Sequence, residues 1–200
     1  MSRPEIWAIV GGNGAGKSTF YKTFLKPQGI PFINADVIAT EMDSENPETV
    51  SYVAAVIAGK QREKAIQEHQ NFCFETVFSH PSKIDLLAQA KAAGYEINLV
   101  VIYLVDAEVN KARVRQRVSE GGHNVPETKI ESRIPRTHNN ISDAIDLCDF
   151  VYIFDNSSFD NPFRRIATRE DGTVTIHDQD APEWVTNLFR CLLGYQNCAS

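Results

Sequence analysis

Glu5-Ile6-Trp7-Ala8-Ile9-Val10 runs without interruption into Gly11-Gly12-Asn13-Gly14-Ala15-Gly16-Lys17-Ser18-Thr19. The first six residues have the composition of a buried strand. The next eight fit G-x-x-x-x-G-K-[ST], the string in which a glycine-rich turn joins a strand to a helix. Glycines let successive backbone N–H groups turn inward around an anion, and the helix N-terminus adds its positive end. Gly11 to Thr19 are therefore expected to cradle a nucleoside triphosphate, ATP by preference. Lys17 should reach the β- and γ-phosphates, and the Ser18 hydroxyl should ligate Mg²⁺. A glycine-rich turn with an incidental lysine would need neither the strand before it nor the helix after it.

Outward from this segment, short apolar runs alternate with longer stretches of helical period, the pattern of a parallel sheet covered by helices. A helix from Lys17 should end before Pro27-Gln28-Gly29. Pro31-Phe32-Ile33-Asn34 reads as a second strand, with Asp36 just beyond it, and Pro47 to Gln67 as a long helix. Phe72 to Thr76 is a third strand, Pro81 to Ala93 a helix stopped by Gly94, and Ile97 to Val105 a buried central strand. Glu108 to Glu120 and Pro126 to Leu147 are helical, the second with a kink expected at Pro135. Phe150 to Phe154 is the fifth strand. Arg164 to Thr168 and Thr173 to Ile176 flank Asp171-Gly172, a type I′ hairpin signal, and a last amphipathic helix runs near Glu183 to Leu193. The expected fold is α/β, a three-layer kinase-type P-loop domain. It has a mostly parallel five-stranded sheet and a small C-terminal antiparallel hairpin plus helix. It forms one domain over 1–200, with its core at 5–158 and the hairpin and terminal helix at 159–200.

Composition agrees with one globular domain. The chain has 200 residues, 42% of them apolar, and a net charge of −6 from 20 Lys+Arg and 26 Asp+Glu. That balance argues against binding nucleic acid through the net field. No apolar run reaches membrane-spanning length, and the N-terminus carries no signal-type segment, so a cytoplasmic protein is expected. Cys73, Cys148, Cys191 and Cys198 form no CxxC pair and no metal spacing. Cys73 and Cys148 read as core residues, and a reducing setting is the simplest account.

Two strand ends bring acids to the sheet edge where ligands bind in α/β folds. Asp36, past the second strand, can accept a proton from an acceptor hydroxyl and orient it for in-line attack on the γ-phosphorus; it can equally be the N-cap of the following helix. Glu75 and Thr76 can hold acceptor hydroxyls or a metal-bound water, or be a solvated strand end. Arg113, Arg115, Arg117, Arg133 and Arg136 surround a Gly121-Gly122-His123-Asn124-Val125-Pro126 break. Arginines on a helical hairpin can close over the equatorial oxygens of a triphosphate. Arg113 and Arg117 share one face and Arg133 and Arg136 another, while Arg115 points elsewhere. Asp155-Asn156-Ser157, after the fifth strand, is either an adenine seat or ordinary turn chemistry. No N-K-x-D and no L-S-G-G-Q appear, which excludes a G-protein and a transporter-type ATPase.

With these residues in place, the chain from about residue 5 to 158 resembles the zeta-toxin family of P-loop kinases, and in particular its short bacterial members. The blocks that carry the resemblance are Gly11 to Thr19, Ile33 to Asp36, Phe74-Glu75-Thr76, Arg113 to Arg117, Gly121 to Pro126, Arg133 to Arg136 and Asp155-Asn156-Ser157. The resemblance implies phosphorylation of the 3′-hydroxyl of the amino sugar in UDP-N-acetylglucosamine, and a small antitoxin protein as partner. It makes Asp36 the general base, with Lys17 and Ser18 holding ATP·Mg²⁺. Glu75 and Thr76 fall on the acceptor and Arg117 on the γ-phosphate. The family's second lid arginine precedes a Thr-Pro pair; here His123-Asn124-Val125-Pro126 occupies that stretch, so the role passes to His123, Arg133 or Arg136. The chain also lacks the substrate-side insertions of the larger toxins, which leaves the acceptor open. Two other readings stand beside this one. The first is another small-metabolite or polynucleotide 5′-hydroxyl kinase. The second is a non-catalytic module switched by ATP. Under any of these readings, the helix from Pro47 to Gln67 offers a docking face for an antitoxin or for another copy of the chain.

Overall fold

A computed structural model describes residues 3–119 and 125–189. Four strands, β1 (Glu5–Val10), β2 (Phe72–Thr76), β3 (Glu96–Tyr103) and β4 (Phe150–Asp155), are parallel; β5 (Arg164–Glu170) and β6 (Thr173–Ile176) continue the same sheet antiparallel. The order is β2-β1-β3-β4-β5-β6. Val10 pairs with both Thr76 and Val101, so β1 and β2 finish level, β3 runs two residues further to Tyr103, and the C-terminal ends of the three form one edge.

The strand count differs from the sequence expectation. Pro31 to Asn34 contributes only a single parallel bridge, Phe32 to Cys73, with Cys73 N donating to the Pro31 carbonyl and Ile33 N to that of Cys73. The chain leaves the sheet there because Asn34 caps the helix α2 (Ala35–Met42), its side chain accepting from Asp36 N at 2.7 Å. The C-terminal hairpin, in turn, is part of the sheet and not an appendage to it. Its turn is as the sequence predicts: Asp171 and Gly172 both have positive φ, 48° and 77°.

Side-chain alternation divides the core. Ile6, Ala8 and Val10 face the helices α3 (Ser51–Gln67), α4 (Ser82–Ala92), α6 (Glu127–Ala144) and α7 (Glu183–Leu188), against Ala65, Leu87, Ile141 and Val185. Ile9 faces the other way, with Val100 and Ile102, onto Phe20 and Leu25 of α1 (Lys17–Phe20) and its π-helical continuation Tyr21–Leu25. The remaining helix, α5 (Ala107–Ser119), is clamped to α6 by Lys111, which is paired with Glu108 at 2.6 Å and Glu131 at 2.5 Å, and by Arg115 with Glu127 at 2.7 Å. Helix α6 continues through Pro135. Cys73 and Cys148 are buried free thiols, and burial pushes the Cys148 thiol up to about 12. The Gly121-Gly122-His123-Asn124 break, Cys191, Cys198 and the expected helix beyond Phe189 lie outside the described residues. Among the described residues no helix is long and apolar enough to cross a membrane.

Candidate active site

The glycine-rich segment holds its shape through neighbours that leave no room for side chains. At Gly11 an added Cβ would stand 2.1 Å from the Ile102 carbonyl oxygen. Gly16 has φ +97°, and a Cβ there would meet Asn156 Nδ2 at 2.5 Å. That amide donates to the Ala15 carbonyl at 2.8 Å, and Asn110 Nδ2 donates to the Asn13 carbonyl at 2.7 Å. Two buried asparagines, one after β4 and one on α5, thus fix the loop from behind through its carbonyls. Asn156 belongs to the Asp155-Asn156-Ser157 turn.

In front of the loop lies a cleft of about 470 Å³. Asn13, Gly14, Gly16, Lys17, Ser18 and Thr19 form its floor, and Asp36, Glu75, Thr76, Arg113 and Arg117 its walls. The ammonium of half-buried Lys17 donates to the carbonyls of Gly11 and Gly12, both at 3.0 Å. Burial draws its pKa down, opposed by the nearby charges of Glu75 and Asp36 and reinforced by Arg117 and Arg133. Lys17 is therefore the centre of a field in which two acids and two arginines converge.

Asp36 is exposed into the cleft and is not the cap of α2, a duty that Asn34 performs. Its carboxylate is thus free of the structural task the sequence left open for it. The Ser18 hydroxyl lies 3.0 and 2.8 Å from the two Glu75 oxygens. A hydroxyl and a carboxylate beside incoming phosphates are hard oxygen donors that suit Mg²⁺, which takes one or two protein ligands and completes its shell with phosphate and water. Among the described residues there is no cluster of three or more His, Cys, Asp or Glu that could hold a metal ion. Thr76 Oγ accepts from Phe78 N at 3.0 Å, helping hold the buried Phe78 at φ +63°. Helix α6 braces the same turn, Thr137 Oγ donating to the Val77 carbonyl and Asn140 Nδ2 to that of Phe78. A strained backbone over-determined by its surroundings is typical of a site that must be held rigid.

The five arginines separate cleanly. Arg113 and Arg117 line the cleft, as their four-residue spacing predicts. Arg133 Nη1 reaches Asn13 Oδ1 at 3.4 Å, whereas Arg136 is exposed and folds back onto Ser132, so this pair does not act on one face. Arg115 is spent on Glu127. His123 lies outside the described residues. Sequence reasoning missed Phe159, over whose ring Arg113 stacks at 4.9 Å, and two further cations on the cleft wall, Arg62 and Lys83. Arg62 had a local signal. It continues the stripe Ala54-Ala58-Arg62-Ala65 that packs inward, where an arginine is out of place unless it has a task.

A glycine-rich cradle at the C-terminal edge of the parallel strands, facing an acid at the head of α2, defines the kinase-type P-loop fold. Within that class, the sequence model of the zeta toxin matches residues 1–180, and the chain belongs to the zeta toxin family. An uncharacterized protein of Haemophilus influenzae is 31% identical over 140 residues, 66% of this chain and 99% of its own length. Among solved structures, a chain of the AvrRxo1-ORF1:AvrRxo1-ORF2 complex with ATP superposes with TM-score 0.70 at 17% identity, covering 99% of this chain and 66% of that one. A chain of the PezAT chromosomal toxin–antitoxin system of Streptococcus pneumoniae superposes with TM-score 0.64 at 14% identity, covering 99% and 82%. The chain spans just under two thirds of its AvrRxo1 neighbour.

Proposed function

We propose that this protein is an ATP- and Mg²⁺-dependent kinase that transfers the γ-phosphate to a hydroxyl of a small acceptor, the 3′-hydroxyl of the amino sugar in UDP-N-acetylglucosamine or a related nucleotide sugar. The observation that carries this reading is Asp36, relieved of helix capping by Asn34 and open to the cleft that Lys17 floors. In this reading Asp36 takes the proton of the acceptor hydroxyl. Lys17, Arg117, Arg113 and Arg133 meet the charge on the transferring group, and Thr76 and Glu75 position the acceptor. Mg²⁺, held by Ser18 and with Glu75 beside it, would neutralise phosphate charge. Family membership and the ATP complex of a structural neighbour support the choice of ATP. The neighbours' description as a toxin–antitoxin system and as a two-protein complex supports a small restraining partner protein for this chain as well.

The test is an acceptor screen with γ-labelled ATP and Mg²⁺ over UDP-sugars, free sugars, nucleosides and 5′-hydroxyl oligonucleotides, with Asp36→Asn as control. Label on UDP-N-acetylglucosamine that disappears in Asp36→Asn, while that variant still binds ATP, is the expected result. Equal transfer by Asp36→Asn removes the general base. Label on oligonucleotides alone makes the protein a polynucleotide kinase, and no transfer at all points to ATP as a switch ligand or to an acceptor outside the panel.

A further inference from the structure

The acceptor side of the cleft holds two cations that the phosphate cradle does not use. Arg62, on the inward face of α3, is 9% exposed, and Lys83, in the first turn of α4, is half-buried. Both line the main cleft together with Thr76 and Val77, and both line a smaller hollow of about 140 Å³ between α3 and α4. The Arg62 guanidinium lies 5.6 Å from the centre of the Phe74 ring. Phe74 and Thr76 are two apart on β2 and so point to the same side of the sheet.

Neither cation has an acid within ion-pair distance among the described residues. Glu63 lines the hollow and acts on Arg62 at longer range. Burial lowers the pKa of both groups, and the charge of Arg62 lowers that of Lys83 further. Two desolvated like charges without a counter-ion are costly, and buried charges are ordinarily paired. A guanidinium fork beside a mobile ammonium is the combination that recognises phosphate oxygens.

We propose that Arg62 and Lys83 form an anion subsite that takes a phosphate or diphosphate already carried by the acceptor. The proposal rests on the kinase reading only for the word acceptor; the anion site itself stands on the residues. It assigns the cleft two separate phosphate positions, one over Gly11 to Ser18 for the donor and one between α3 and α4 for the acceptor. Neutral sugars and nucleosides are then excluded because they leave the two charges uncompensated.

The experiment is a calorimetric titration of the full chain with its phosphate cradle filled by a non-hydrolysable ATP analogue and Mg²⁺, using uridine diphosphate and uridine as probes. The expected result is that uridine diphosphate binds at least about tenfold more tightly than uridine. Lys83→Gln and Arg62→Gln should each erase most of that ratio and leave affinity for the ATP analogue unchanged. Lys83→Gln keeps the proposal testable if Arg62→Gln fails to fold, because Lys83 is not packed into the core stripe. Equal binding of the two probes, or wild-type discrimination in Lys83→Gln, overturns the subsite. Discrimination that is lost in the variants while no acceptor is ever phosphorylated supports the subsite and overturns the kinase reading, so the two failures are distinguishable.

Discussion

Ser18 Oγ stands between the two oxygens of Glu75, at 3.0 and 2.8 Å, and this contact ties the end of the phosphate loop to the end of β2. The hydroxyl has one proton to give, so its lone pairs stay available on the side facing the nucleotide, and the carboxylate adds a negative charge close to where triphosphate oxygens arrive. That charge repels ATP unless a cation lies between them. Glu75→Gln should therefore bind metal-free ATP more tightly than wild type, yet lose about tenfold or more in turnover. Ser18→Ala should weaken Mg·ATP binding while leaving metal-free binding nearly unchanged. Titrations with and without Mg²⁺ check both, and a Glu75→Gln protein with wild-type Mg²⁺ dependence would remove Glu75 from the metal's surroundings.

The arginines give a prediction in which one residue is the control for another. Arg117 lines the cleft and acts on Lys17, whereas Arg136 is exposed and bonded to its own helix at Ser132. Arg117→Ala should lower turnover by about 100-fold or more, the magnitude for losing one transition-state cation or donor. Arg136→Ala should change turnover less than about twofold, since an exposed side chain away from the reacting groups has little to contribute. Steady-state kinetics on the acceptor found by screening would decide. A large loss in Arg136→Ala would mean that α6 rotates on substrate binding to exchange Arg133 for Arg136.

How much of this could be read from sequence depends on how local the determinant is. Gly11 to Ser18 announces itself because one backbone turn requires those residues in that order, and Asp171-Gly172 does so for the same reason. Asp36 was legible as a position with two roles open, proton acceptor or helix cap; that the cap is Asn34 shows only in the bond its side chain accepts from Asp36 N. Pro31 to Asn34 was read as a strand from its composition, but that cap turns the chain away after one bridge to Cys73. Arg62 and Lys83 lie 21 residues apart on different helices, and only the packing of α3 and α4 beside β2 brings them together. The inward stripe of α3 hints at Arg62; nothing local hints at Lys83.

Gly16 offers a test of the cradle that needs no substrate. With φ at +97° and Asn156 Nδ2 standing 2.5 Å from where a Cβ would be, Gly16→Ala must both strain its backbone and displace the amide that bonds the Ala15 carbonyl. The backbone strain costs about 1–3 kcal/mol. For a chain of this size each kcal/mol is worth about 2–4 °C in the unfolding midpoint. Gly16→Ala should melt several degrees below wild type and lose the upward shift that ATP gives. Gly29→Ala, also at positive φ but with open space around its Cβ, should pay only the backbone part and keep the shift.

His138 should govern the acid limb of stability. Its ring stacks on Trp184 at 4.4 Å with 12° between planes, which joins α6 to α7, and burial holds its pKa below the ordinary 6.5. The folded state thus prefers the neutral ring, while the unfolded chain takes up a proton near the ordinary value. The stability this contributes is complete above about 6.5 and is lost as pH falls from there through the folded-state pKa, because protons bind the unfolded chain more tightly. His138→Phe keeps an aromatic ring against Trp184 and removes the titration. Urea denaturation at pH 7.5 and 5.5 should show wild type losing stability between the two, and His138→Phe losing measurably less. An equal loss in both proteins would assign the acid sensitivity to other groups and leave the His138–Trp184 stack as packing alone.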